Sequence, residues 1–214
     1  GNPISPMPGA VLIAVPFALL ATSAFQNVLW LPLAAAALGS LTKPPLAAAI
    51  WPFPLVALVP AVHNEFLTGS DLLTNSLYVG VFTLLLLRAA SMESATFHPA
   101  LWAMLLGVAL SSRAHLLLLL APLARALFLL RGSRGLALVG LVLLAFAGVT
   151  LPFVLGRFPD FTPLHTAAKL VSPEILFPWQ AEAVLLASAV AACVLALRLR
   201  TPGIAAAIRA SSWA

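Results

Sequence analysis

Charge is scarce in this chain, and it stands almost wholly at the ends of long apolar runs. Eleven Lys or Arg and six Asp or Glu serve 214 residues, of which 62% are hydrophobic. A water-soluble domain covers itself with a surface about a quarter to a third charged, which this sequence cannot supply. A mean hydropathy of +1.08 puts most side chains against lipid or against other apolar helices instead. The sequence therefore reads as an all-α, polytopic integral membrane helical bundle, and the polar residues that interrupt its apolar segments are the ones that cost free energy and point to function.

A net charge of +5 could indicate nucleic acid. The basic residues stand singly at the ends of apolar runs, however, with no basic stripe and no interleaved aromatic platforms, so nucleic acid is excluded as a partner and topology is the better explanation. The one cysteine, Cys193, sits in an apolar run. It cannot form an internal disulfide and reads as a small buried hydrophobe.

The first apolar stretch, 10–20, contains Pro16 and is too short for the ~20 residues that a bilayer requires. It reads as a short interfacial or re-entrant helix. About seven spanning or near-spanning segments follow, at 25–41, 45–62, 71–88, 99–112, 114–130, 135–155 and 179–199. A single helix over 99–130 would be ~48 Å long at 1.5 Å per residue, beyond the ~30 Å hydrocarbon core, so Ser111-Ser112-Arg113 reads as the turn of a tight hairpin. There is no internal repeat. Residues 1–214 form a single transmembrane domain, with 156–178 as its one long outer loop. The chain starts at Gly1 without an initiator Met or a basic leader, which reads as an N-terminally truncated fragment.

Alternating spans place Lys43, Arg88, Arg125, Arg131, Arg134, Arg198, Arg200 and Arg209 on one side, with Glu93 as its acid. Glu65, Asp71, Asp160, Glu174 and Glu182 fall on the other, with Arg113, Arg157 and Lys169. The positive-inside rule makes the first side cytoplasmic. The N-terminus of the chain is then extracytoplasmic and its C-terminus cytoplasmic. Trp51, Trp102 and Trp179 lie near span ends, where indoles anchor in the headgroup region.

The outer face carries the candidate chemistry. In the loop 63–71, Ser70 or Asp71 can cap the next helix, and a carboxylate there is kept ionised by the helix dipole. Glu65 and Asp71 are the candidate catalytic acids, and could together hold a divalent cation; no other cofactor is expected. Asn75, one turn after Asp71, extends the polar face or bonds a neighbouring helix. Arg113 must snorkel, pair with an acid or face a wet cavity. With Ser111, Ser112 and the free amides of the next helix it can clamp a phosphate, and His115 can donate a hydrogen bond or exchange a proton nearby. His165 and Lys169, at i, i+4 spacing after Thr162-Pro163, can meet sugar hydroxyls or phosphate. His63, His98, His115 and His165 are dispersed, and there is no nucleotide, zinc or nucleophile-elbow motif.

Several short blocks carry a family resemblance: residues 1–10 (GNPISPMPGA), Pro16-Phe17, Gln26-Asn27, Gly69-Ser70-Asp71 with Asn75-Ser76-Leu77-Tyr78-Val79, Gly107-Val108-Ala109-Leu110-Ser111-Ser112-Arg113, Leu151-Pro152-Phe153, and Phe161-Thr162-Pro163-Leu164-His165-Thr166 with Lys169-Leu170. Together they resemble uncharacterised bacterial multi-spanning proteins similar to C-type (GT-C) glycosyltransferases of the mannosyl- and arabinosyltransferase-like group. The resemblance implies transfer of a sugar from a polyprenyl-phosphate donor to a lipid, glycan or protein acceptor at the extracytoplasmic face, with membrane lipids and the lipid-linked sugar as partners. It also implies a catalytic acid in an outer loop upstream of Gly1, which leaves Arg113 and Lys169 for the donor phosphate, with Asp71, Glu65 and His165 near the sugar or a cation. The alternative is a transporter or flippase, which would carry a polar path on to the cytoplasmic side. Reaction type here rests on likeness of fold.

Overall fold

The computed structural model describes residues 8–20, 25–40, 50, 52–68, 71–92, 98–156 and 180–198. All regular structure among them is helical. The helices are α1 (Pro8–Leu20), α2 (Phe25–Gly39), α3 (Pro52–Leu58), α4 (Pro60–Thr68), α5 (Asp71–Ser91), α6 (Pro99–Leu110), a 3₁₀ segment (Ala114–Leu119), α7 (Leu120–Arg131), α8 (Ser133–Gly156) and α9 (Gln180–Arg198).

Proline and polar breaks set these boundaries. Pro99 opens α6 at the position where a missing N–H costs nothing, behind an extended His98. Pro60 cannot donate into a preceding helix, so the described part of the expected 45–62 segment, from residue 52 on, is not one continuous helix but falls in the short helices α3 and α4. The 63–71 loop is corrected in the same region: α4 runs on through His63, Asn64 and Glu65 to Thr68, because nothing between Pro60 and Gly69 breaks a helix. At the other break, the Ser111 N–H closes α6 onto the carbonyls of Gly107 and Val108. Arg113 is then extended, at φ −153° and ψ 128°, so 99–112 and 114–130 are separate elements as expected.

Among the described residues, two of the seven expected spans have the length and apolarity of a membrane crossing. Leu73–Ser91 and Ser133–Leu155 are long and apolar enough to cross a membrane, and a third span exists if α1 and α2, bent by 116° at their break, act as one. The breaks explain the difference: α6 and α7 have 12 residues each, about 18 Å of helix against a ~30 Å core. Such a bent pair is one broken span or a re-entrant loop.

The core is a ring of four helices in which α5 packs on α6, α6 on α8, α8 on α7 and α7 on α5. The α6–α7 pair therefore differs from a tight hairpin, since α7 lies chiefly against α8, α9 and α5. Outside the ring α2 covers α5, α9 covers α7, and α1 rests on α6 and α8. Tyr78, Leu86, Leu106, Leu110, Leu127 and Val142 fill the centre without exposure, and Trp30 meets Tyr78 and Phe82 edge-on at ring separations of 5.7 and 5.6 Å. Trp102, in the first turn of α6, is half-buried beside Phe82 at 6.4 Å; Trp51 and Trp179 lie outside the described side chains. The α6–α8 crossing is close because Gly107 has no side chain: a Cβ there would collide with the Val142 carbonyl and the Ala145 Cβ. Leu19, Leu144, Leu155, Leu186 and Leu197 point outward, as lipid-facing side chains do. Cys193 is exposed on peripheral α9 rather than buried, because α9 has neighbours on one side only.

Arg131, at the end of α7, donates from Nε to the Ala90 carbonyl and from Nη2 to the Met92 carbonyl, both at 2.6 Å. A helix C-terminus carries unsatisfied carbonyls and partial negative charge, so a cation there satisfies both demands. Arg131→Ala is expected to lower stability by about 2 kcal/mol, with Lys restoring only part because it lacks the two-pronged geometry. Thermal unfolding in detergent tests this; equal melting of the Ala variant and the parent chain would refute it.

Candidate functional site

The first turns of α2 and α5 meet through polar side chains. Thr74 donates its hydroxyl proton to Asn27 Oδ1 at 2.6 Å, and Asn27 Nδ2 donates to the Phe66 carbonyl at 3.1 Å. Asn27 thereby ties α2 to α5 and to the end of α4. One turn further along α5, the Tyr78 hydroxyl lies within hydrogen-bond reach of both Asn75 Oδ1 and Ser112 Oγ. A phenol has one proton and a carbonyl oxygen only accepts, so Tyr78 donates to Asn75 and takes the proton of Ser112. The result joins α5 to the end of α6 through a fully buried tyrosine.

Ser111 and Ser112 are buried where α6 stops. Ser111 also donates its hydroxyl proton to the Val108 carbonyl at 2.7 Å, a second bond to an oxygen that already takes the Ser111 N–H. The first turn of α1 is pressed onto this corner, with Pro8, Gly9 and Ala10 buried. Gly9 permits the contact, because a Cβ would run into the Val108 carbonyl and Ser111 Oγ. Arg113 follows, half-buried, at the mouth of the break. His115 is exposed in the 3₁₀ segment, where its ring can donate an N–H to an anion beside Arg113.

These groups share one end of the bundle. The buried polar side chains among the described residues are Gln26, Asn27, Thr74, Asn75, Ser111, Ser112 and Thr150: they lie at the starts of α2 and α5, the end of α6 and the last turns of α8. The opposite end holds Arg88, Arg131 and Arg134, at the end of α5 and the α7–α8 turn. On α5 beyond Tyr78 the buried side chains are Val79, Val81, Leu86, Ala89 and Ala90.

Of the residues singled out from sequence, Asn75 and Arg113 are brought to this corner, joined through Ser112 and Tyr78. Asp71 opens α5 one turn before Asn75, and Glu65 lies on α4 beside Phe66, whose carbonyl Asn27 holds; the side chains of both acids lie outside the described ones. His165 and Lys169 also lie outside the described residues. Among the described residues no group of three or more His, Cys, Asp or Glu stands together. Sequence reasoning missed Asn27, Thr74 and Tyr78 as site residues, although Gln26-Asn27 and Tyr78 stand inside blocks of the family resemblance. A signal was present, since polar side chains at 74, 75 and 78 share one helical face at the start of an otherwise apolar helix. No family model, curated protein or solved structure matches the chain.

Proposed function

We propose that the chain is the membrane-embedded wall of a C-type glycosyltransferase, taking a sugar from a polyprenyl-phosphate donor at the extracytoplasmic face and passing it to a lipid or glycan acceptor. The observation that carries this reading is the gathering of every buried polar side chain among the described residues at one end of an apolar bundle, with Arg113 at its edge. A lipid-linked substrate needs that arrangement, with its chain in hydrocarbon and its phosphate at the membrane surface beside a guanidinium that donates two parallel hydrogen bonds.

In this reading Arg113, with His115 as a further donor and Lys169 from the outer loop, holds the phosphate. Asp71, Glu65, Asn75 and His165 line the sugar side. The short helices α2, α6, α7 and α9, with α3 and α4 together as one broken crossing, complete a seven-segment topology in a bacterial inner membrane. Arg88, Arg131 and Arg134 face the cytoplasm, as the positive-inside rule requires. Beyond Tyr78 the buried side chains of α5 are apolar apart from the buried Thr83 hydroxyl, which favours a one-sided site over the continuous polar path of a transporter.

The test is sugar transfer from a labelled polyprenyl-phosphate sugar in membranes that carry the full protein. Arg113→Ala is expected to reduce turnover about tenfold, the loss of one charge-assisted contact, and Asp71→Asn to reduce it as well. Parent-level transfer in both variants removes the site assignment, and absence of transfer by the parent protein removes the reaction.

A further inference from the structure

Three arginines converge where α5 ends and α7 turns into α8. Arg131 holds the last turn of α5 through the Ala90 and Met92 carbonyls. Arg88 belongs to that same turn: its own carbonyl takes the Met92 N–H at 3.2 Å and the Ser91 hydroxyl at 2.7 Å. Arg134 follows Arg131 across a turn with little freedom. Gly132 sits at φ 59°, where a side chain would be strained, and its carbonyl accepts the Gly135 N–H at 3.0 Å. A Cβ on Gly135 would run into the Leu127 carbonyl, so α7 and α8 leave the turn in close contact.

Insertion topology needs only the charge of these residues and leaves their geometry free. In this corner the geometry is fixed, and like charges held close repel one another unless an anion lies among them. Among the described residues no acid pairs with Arg131 or Arg134, and Glu65 and Asp71 lie at the opposite end of α5. Glu93, the next acid after Arg88 in sequence, lies outside the described residues, and one carboxylate does not neutralise three guanidinium groups.

The neighbouring side chains identify the anion. Phe128, one turn before Arg131, and Leu136, just after Arg134, are 45% and 48% exposed. Leu143 and Leu144, two turns on, continue the Leu136 face along α8 and are exposed as well. An anion at the arginines therefore has an apolar wall beside it, which the acyl chains of a lipid can cover and a free anion cannot use.

We infer that this end of the bundle binds the headgroup of an anionic phospholipid. Its phosphate is held by Arg134 and by the donors of Arg131 that α5 leaves unused, and its acyl chains lie along Phe128 and the Leu136 face of α8. Arg88 adds positive potential. The lipid would tie α7 to α8 much as Arg131 ties α7 to α5. The site stands at the other end of the bundle from Arg113 and is independent of sugar transfer.

The experiment titrates the full chain in detergent with phosphatidylglycerol, with phosphatidylcholine, and with glycerophosphoglycerol, which is the first headgroup without its acyl chains, and counts bound lipid by native mass spectrometry. The parent protein is expected to bind phosphatidylglycerol about fivefold more tightly than phosphatidylcholine, with glycerophosphoglycerol failing to compete. Arg134 is exposed and carries none of the α5 clamp, so Arg134→Gln tests the site without unmaking the bundle. It is expected to lose about fivefold on phosphatidylglycerol and nothing on phosphatidylcholine. Arg125→Gln, which removes another exposed charge from the middle of α7, should change neither. Equal losses in the two variants would mean diffuse attraction and overturn the site, as would equal binding of the two lipids by the parent. Competition by glycerophosphoglycerol would make this a free-anion site and overturn the lipid assignment.

Discussion

Gly107→Ala should lower the stability of the bundle by about 3 kcal/mol or more, the upper range for overpacking a core. The added methyl would meet the Val142 carbonyl and the Ala145 Cβ, with the Phe146 amide nitrogen at 3.0 Å. Two of these are backbone atoms of α8 and cannot rotate away. Relief requires α6 and α8 to separate, which opens gaps around Leu106, Leu110 and Val142, and interiors packed like crystals do not yield continuously. Gly148→Ala is the matched control, because nothing lies within 4 Å of a Cβ at that position of the same helix α8. For a chain of this size, 3 kcal/mol corresponds to a fall in Tm of about 6 to 12 °C. Melting of the detergent-solubilised variants gives the answer. If Gly107→Ala and Gly148→Ala melt together, the close crossing described here is wrong.

The second large effect is expected from Tyr78→Phe, at about 2 to 4 kcal/mol. The substitution preserves the edge-on contact with Trp30 and removes one oxygen, but that oxygen serves two buried partners. Asn75 Oδ1 loses its donor and Ser112 Oγ loses its acceptor, each at the cost of an unsatisfied buried polar group, about 1 to 3 kcal/mol. Adding Ser112→Ala to Tyr78→Phe removes one of the two orphans. The double variant is therefore expected to be more stable than the sum of the single effects predicts, and a double-mutant cycle measures the coupling. Strict additivity would show that the tyrosine does not bridge the two helices.

Much of the helical framework was legible from sequence, because apolar runs and their breakers act locally. Pro99, the polar Ser111-Ser112-Arg113 break and the long 133–156 segment all do in the structure what their chemistry demands. The spans were harder to read, since hydropathy counts apolar residues without asking whether a proline such as Pro60 divides them. The loop at 63–71 was misread for a related reason: His63, Asn64 and Glu65 look like surface punctuation, yet all three are compatible with a helix.

At the site, Asn75 and Arg113 could be found because polar groups in apolar surroundings are conspicuous. Their connection could not. Tyr78 is spaced like any core aromatic, and its role depends on the α6 end returning from more than thirty residues away. Asn27 and Thr74 likewise acquire their function only across 47 residues. Arg131 shows the same limit from the other direction, since its position reads as a topology marker and its hydrogen bonds to α5 reveal a structural clamp.

That clamp also sets an order of events for membrane insertion. Ala90 and Met92 are synthesised 41 and 39 residues before Arg131, so the tail of α5 enters the bilayer long before its guanidinium exists. Until α7 emerges, those two carbonyls need water or a lipid headgroup. Arrival of the arginine then releases these temporary partners and fastens α7 to α5 before α8, the helix that closes the ring, has been made.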